Sequence, residues 1–136
     1  MFKVMWLLRR KPGISHAQFK EHYERSHVVM AQKYIGHLLI EYKRNYKTET
    51  WGGGVPTDTG GGFGPIEWPY DCVTEWVMKD ESALDEINAI FAHPVTGKEF
   101  HDDEANFLDR DSVILIKCQV IDTGPGAGAG SLSKTK

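Results

Sequence analysis

The sequence predicts an α+β domain whose helices cover one face of a four-stranded antiparallel sheet. Three observations predict it: four runs with period-two apolar patterning, helical periodicity between them, and a length of 136 residues that suits one domain. Hydrophobic residues make up 40% of the chain and charged residues 26%, which excludes a wholly disordered protein. The formal net charge of −3 leaves no electrostatic footprint for nucleic acid. No run approaches the ~18 apolar residues of a membrane span, and no basic-then-apolar leader opens the chain. A cytoplasmic protein without a membrane partner is therefore expected. Two cysteines, Cys72 and Cys118, exclude a disulfide-stapled secreted scaffold and a four-thiolate zinc site.

Residues 2–9 read as the first strand, with Phe2, Val4, Trp6 and Leu8 on one face and Lys3, Met5, Leu7 and Arg9 on the other. Both faces are partly apolar, so something should cover each. After the Lys11-Pro12-Gly13 turn, Ser15 and Gln18 have the spacing of a capping box, and the helix they open is predicted to reach about Lys33. Its periodicity puts Phe19, Tyr23, Ser26, His27, Met30 and Tyr34 on the inner face and Glu21, Arg25 and Gln32 outside. A second strand is predicted from Leu38 to Tyr46. Residues 47–69 then form a glycine-rich insertion, a loop or lid interrupted by Trp51, Phe63 and Trp68. A third strand is predicted from Tyr70 to Met78. Asp80 or Ser82 caps the next helix, which carries Leu84, Ile87 and Phe91 and should stop before Pro94. Another helix over roughly 95–108 clusters Phe100, Glu104, Phe107 and Leu108, and Ser112 to Ile121 reads as the last strand.

The resulting order, β-α-β-β-α-α-β, suggests a ferredoxin-like split β-α-β arrangement with strands in the spatial order 4-1-3-2. That order separates Cys72 from Cys118 and argues against a disulfide. Helices cover only one sheet face, so the second apolar face predicts a homodimer through the sheets. Residues 1–123 form the domain. The Gly/Ala/Ser-rich tail, 124–136, has too little apolar surface to offset its ordering entropy and is expected to be mobile.

The strongest chemical candidate is the inward cluster Tyr23, Ser26 and His27. Histidine can take and give protons near neutral pH, and a neighbouring phenol can orient a substrate oxygen. The plainer alternative is a histidine that satisfies a backbone carbonyl. Glu104 sits among phenylalanines, where desolvation would push its carboxyl upward unless a cation or His27 partners it. Arg44, between Tyr42 and Tyr46, could hold an anionic or phenolic group, or serve only as an edge-strand charge. Trp6 and Trp76 from the strands, Trp68 from the insertion, and Tyr46 complete the candidate substrate-binding set. Glu75 has a cross-strand ion pair as its plainer reading. His22 and His27 are five apart, not the four that aligns two imidazoles on an α-helix, and no His-Glu-x-x-His occurs, so no metal site is expected. The glycine runs lack the lysine and the strand–loop–helix context of a phosphate cradle.

The run Val4-Met-Trp-Leu-Leu-Arg-Arg-Lys-Pro-Gly-Ile-Ser followed by Phe19-Lys-Glu-His-Tyr-Glu-Arg-Ser-His27 resembles the opening of an EthD-domain protein. So do Asp71-Cys-Val-Thr-Glu-Trp76 and Asp103-Glu-Ala-Asn-Phe-Leu-Asp109, and the resemblance covers about residues 2–121. It implies a dimeric α+β barrel, in which a ferredoxin-like protomer turns its sheet to its twin. It also implies kinship with cofactor-free cyclases, dehydratases, decarboxylases, lyases and oxygenases acting on polyketides or other aromatic compounds. The histidine matching His27 is the residue in which acid–base work is suspected. The expectation is thus a cofactor-independent lyase acting on a phenolic or polycyclic aromatic molecule. In it, His27 is general base and acid, Tyr23 holds a substrate oxygen, and Glu104 orients His27 or shares its proton. An oxygenase, cofactor-free or with haem on His27 or His101, and a non-catalytic aromatic-ligand module are the alternatives.

Overall fold

The structure, a computed structural model, describes residues 1–57 and 60–125; residues 126–136 of the tail expected to be mobile lie outside the described residues. Strand β1 (Phe2–Leu8) leads to helix α1 (His16–His22), which continues through a π-helical turn (Tyr23–His27) into α2 (Val28–Ile35). A 3-10 turn (Gly36–Leu38) precedes β2 (Glu41–Tyr46). The hairpin β3 (Trp51–Thr57) and β4 (Gly60–Pro65) follows, then β5 (Cys72–Met78), α3 (Glu81–Ala92), α4 (Thr96–Glu104), a 3-10 turn (Arg110–Ser112) and β6 (Ile114–Cys118). The main sheet is antiparallel with order β2-β5-β1-β6, the ferredoxin-like arrangement. Cys72 pairs with Leu8 at one end of β1 and Cys118 with Lys3 at the other, and both thiols are free. Among the described residues no helix is long and apolar enough to cross a membrane.

Local chemistry explains the helix starts. The Ser15 Oγ accepts from the Gln18 N–H at 3.1 Å while the Ser15 N–H donates to Gln18 Oε1 at 2.8 Å, closing the capping box. Asp80, not Ser82, caps α3, accepting from the Ser82 N–H at 3.0 Å. Gly97 lets α4 start hard against the end of α3, because a Cβ there would lie 2.0 Å from the Phe91 carbonyl oxygen.

Alternating residues of β1 and β5 turn Val4, Leu8, Cys72, Thr74, Trp76 and Met78 to the helices, where all are buried. One cluster joins Val4, Ile35, Trp76, Leu84 and Phe100; another joins Leu8, Phe19, Tyr23, Cys72 and Phe107. Burying each such side chain is worth about 1.5–3 kcal/mol. Among the described residues no helix packs on the opposite face. There Lys3 pairs with Glu75 at 2.9 Å amid Met5, Leu7, Ile114 and Ile116, and each of these two isoleucines remains 42% exposed. Glu75 is thus the cross-strand ion pair of its plainer reading.

Several boundaries differ from the pattern-based expectation. The second strand starts at Glu41 rather than Leu38, because the chain leaves α2 through the 3-10 turn. The last strand is trimmed at both ends, to Ile114–Cys118, and α4 ends at Glu104. The insertion at 47–69 is no open loop, since Trp51 pairs with Pro65 and Gly52 with Gly64 in a two-stranded ladder. Strand pairing uses backbone groups that glycine supplies as fully as any residue, so low β-propensity did not prevent it.

Candidate functional site

The π turn organises the site. In a regular α-helix His22 and His27 would sit about 140° apart around the axis. Here the Val28 N–H bonds the Tyr23 carbonyl five residues back, and the wider turn brings both imidazoles to one side. They converge on Asp103 of α4. The His22 Nε2 donates to Asp103 Oδ1 and the His27 Nδ1 to Oδ2, both at 2.9 Å, and the Ser26 hydroxyl donates to Oδ1 at 2.6 Å. The five-residue spacing thus aligns the imidazoles after all, but they aim N–H groups at a carboxylate rather than lone pairs at a metal.

Burial tends to raise the Asp103 carboxyl, but the hydrogen bonds from His27, Ser26 and His22 override it and hold the group at about 2. An ionised carboxylate only accepts, so a proton of His27 resides on Nδ1, and in the neutral ring Nε2 carries the lone pair. That nitrogen has no hydrogen-bond partner among the described residues. The ring is wedged beside Phe107, Tyr23 and Phe100, with centroids 5.2, 5.5 and 5.8 Å away.

His27 borders a cavity of about 260 Å³ between the helices and the sheet. Trp6 and Trp76 form one wall, edge to face at 5.1 Å and 68°, and Phe91, Phe107 and Tyr42 line others. The two indole N–H groups are buried and have no acceptor among the described residues. The remaining charged lining residues are Glu104 and Arg110. Arg110 Nε lies 3.2 Å from Glu104 Oε1. Burial raises the Glu104 carboxyl above the ordinary range, although His27 and Arg110 pull it back. The segment after α4 reaches this position because it is strapped to the end of β1: the Lys11 N–H donates to the Phe107 carbonyl at 2.8 Å and the Asp109 N–H to the Arg9 carbonyl at 2.9 Å.

Of the residues singled out from sequence, His27, Tyr23, Glu104, Trp6 and Trp76 meet at this cavity. Arg44, Tyr46 and Trp68 are not among its lining. Arg44 grips Glu24 with a fork, Nε to Oε2 at 2.9 Å and Nη2 to Oε1 at 2.7 Å, and stacks on Tyr42. Tyr46 donates to the same glutamate, and Trp68 packs against Tyr70 at 5.1 Å. The Tyr23 hydroxyl is already engaged, 2.7 Å from Thr74 Oγ1 and accepting from Tyr42 at 3.2 Å. Burial keeps its phenol protonated well past its ordinary range. His27 is oriented by Asp103, whereas Glu104 faces Arg110. His101, the other histidine considered for haem, is exposed on α4. Asp103 and Arg110 are the residues that sequence reasoning missed. The first of them lies in the segment Asp103 to Asp109 that carries the family resemblance but implies no role for it, and Arg110 carried no signal.

An α+β fold of ferredoxin-like topology, with a histidine–aspartate pair beside an aromatic cavity, defines the class. The chain belongs to the EthD family: a family model of the EthD domain matches residues 11–111. Comparison with curated proteins finds no match. Among solved structures, the chain is similar to an ethyl tert-butyl ether D (EthD) family protein from Bacillus halodurans, with 20% identity and a TM-score of 0.54 over 89% of this chain and 100% of that one. A protein from Arabidopsis thaliana matches with 16% identity and a TM-score of 0.58, over 91% and 99% of the two chains. A dimeric ferredoxin-like protein of unknown function from Jannaschia sp. matches with 13% identity and a TM-score of 0.51, over 88% and 98%. At these identities the likeness is one of fold.

Proposed function

We propose that this protein is a cofactor-independent lyase acting on a phenolic or other aromatic small molecule, with His27 moving the proton. The observation that carries the reading is His27 itself. Its Nδ1 is fixed on an ionised Asp103, and its Nε2, at the edge of an aromatic-walled cavity, has no partner among the described residues. A base held in one tautomer and one orientation, beside room for a guest, is the arrangement general acid–base catalysis needs. Such a group contributes roughly 10²–10⁴-fold.

The cavity's size supports a small guest. An engineered protein cavity of about 150 Å³ holds benzene, so one of about 260 Å³ suits one or two fused rings. Trp6 and Trp76 offer flat walls to such a guest, and their unpaired N–H groups favour one that carries oxygen. In decarboxylation, dehydration or a related C–C or C–O cleavage, a phenol ring can itself take up the electron pair released. His27 then collects or returns the proton. Glu104, whose burial favours its protonated form, is the second proton-handling group. The uncovered sheet face, together with a neighbour described as dimeric, supports a homodimer through the sheets.

The test is mass-spectrometric turnover against a panel of phenolic and polyketide-type aromatic acids, with and without oxygen, for the protein and its His27→Ala variant. Oxygen-independent turnover that collapses in the variant is expected. Equal turnover in the variant would remove His27 from the chemistry. Strict oxygen dependence would point to an oxygenase, and tight binding without turnover to a carrier, either of which overturns the lyase.

A further inference from the structure

Arg110 and Arg44 both face a glutamate, but only one of them is saturated. The Arg44 guanidinium uses Nε and Nη2 on the two oxygens of Glu24 and gives Nη1 to the Tyr42 carbonyl at 3.2 Å. Arg110 makes one contact, Nε to Glu104 at 3.2 Å, and its two Nη groups have no partner among the described residues. Its side chain is 44% exposed, so it stands where the cavity opens to solvent. It is also the only lysine or arginine among the lining residues. A guanidinium presents parallel N–H donors that match the two oxygens of a carboxylate, and such forks discriminate charge as well as shape.

We propose that Arg110 is the specificity-determining residue of the cavity and that the guest is an aromatic carboxylate. The carboxylate docks on the Nη edge of Arg110 at the mouth while the ring lies between Trp6, Trp76 and Phe107. This rests on the cavity being the ligand site, as the proposed function holds. Glu104 fits the assignment. An incoming anion competes with its carboxylate for Arg110, and a burial that favours the protonated glutamic acid lets Glu104 yield. The anchored carboxylate also sets the ring's direction within the cavity that His27 lines.

Calorimetric titration of the full chain at neutral pH tests this with 1-naphthoate and its uncharged analogue 1-naphthamide. We expect naphthoate to bind at least tenfold more tightly than the amide. Arg110→Gln should bring the two within threefold of each other by weakening naphthoate, and Glu104→Gln, which removes the competing carboxylate, should tighten naphthoate binding severalfold. Equal affinities in the unaltered protein, or a preference that survives Arg110→Gln, would overturn the proposal and leave the cavity as a ligand site. Failure of both compounds to bind would overturn the proposal and the cavity reading together.

Discussion

Among the described residues two aspartates hold a histidine Nδ1 at 2.9 Å, and only one of them belongs to the candidate site. Asp71, 2% exposed, takes the His16 ring, the Arg10 backbone N–H at 2.8 Å and the Arg10 guanidinium at 3.4 Å. It thereby ties the ends of β1 and β5 to the start of α1. Asp103 gathers three donors from the first helical rod onto α4, and one of these, His27, borders the cavity. The pairs are alike in chemistry and length. Their surroundings differ, since Asp71 completes a staple between elements, whereas Asp103 aims a ring that borders the cavity. A histidine–aspartate pair therefore signals chemistry only when the far side of the imidazole has somewhere to act.

The sharpest way to break this contrast is to change the two histidines in parallel. His27→Gln should lower turnover by roughly 10²–10⁴-fold, while His16→Gln leaves it within a factor of about two, as steady-state rates on the best panel substrate would report; equal losses would erase the distinction. Asp103→Asn should cut kcat on the order of ten- to a hundredfold with KM little changed, because the base is still present but no longer held in its tautomer. A change confined to KM would assign Asp103 to binding instead. Asp71→Asn should reverse the pattern, with turnover retained and stability to urea lowered by about 2–3 kcal/mol as a buried acceptor loses the charge that holds its donors. Arg44→Gln is the smaller structural counterpart, costing about 1 kcal/mol in the same measurement and leaving naphthoate binding as it was.

The slightest effect is one of pH. Asp103 is held at about 2 in the folded protein, below its ordinary 3.8. Its contribution to stability is thus complete above the unfolded value and is lost as pH falls through about 2. Glu104 runs the other way. Its raised folded value gives a contribution present at low pH that declines as pH rises. Urea midpoints at pH 4.5 and 2.5 should therefore diverge less in Asp103→Asn than in the unaltered chain, and an unchanged divergence would refute the assignment.

Much of this frame was legible in the sequence. The capping box and the helix-facing strand residues follow from period and local chemistry, which act over a few neighbouring residues, and the strand order from the split β-α-β topology that the element order suggests. The cavity histidine was also legible, because Tyr23 and His27 share a face in either helical geometry. The π turn was not, since an extra residue per turn is bought by contacts from α4 that no local pattern encodes. Missing it hid the convergence of His22 and His27 on Asp103. The β3–β4 ladder reads as a loop or lid in the sequence for a related reason, because backbone pairing leaves no mark in side-chain alternation at glycines.

By itself the sequence determined the layers and the inward face that carries His27, because hydrophobic periodicity is a local code for burial, and its element order suggested the order of strands. Only the tertiary structure decided which acid orients the histidine and which arginine stays open. Asp103 and Glu104 are adjacent in the chain yet point to different partners, and Arg44 and Arg110 differ by what already occupies their donors. Those outcomes depend on distances between elements far apart in sequence, and packing sets them.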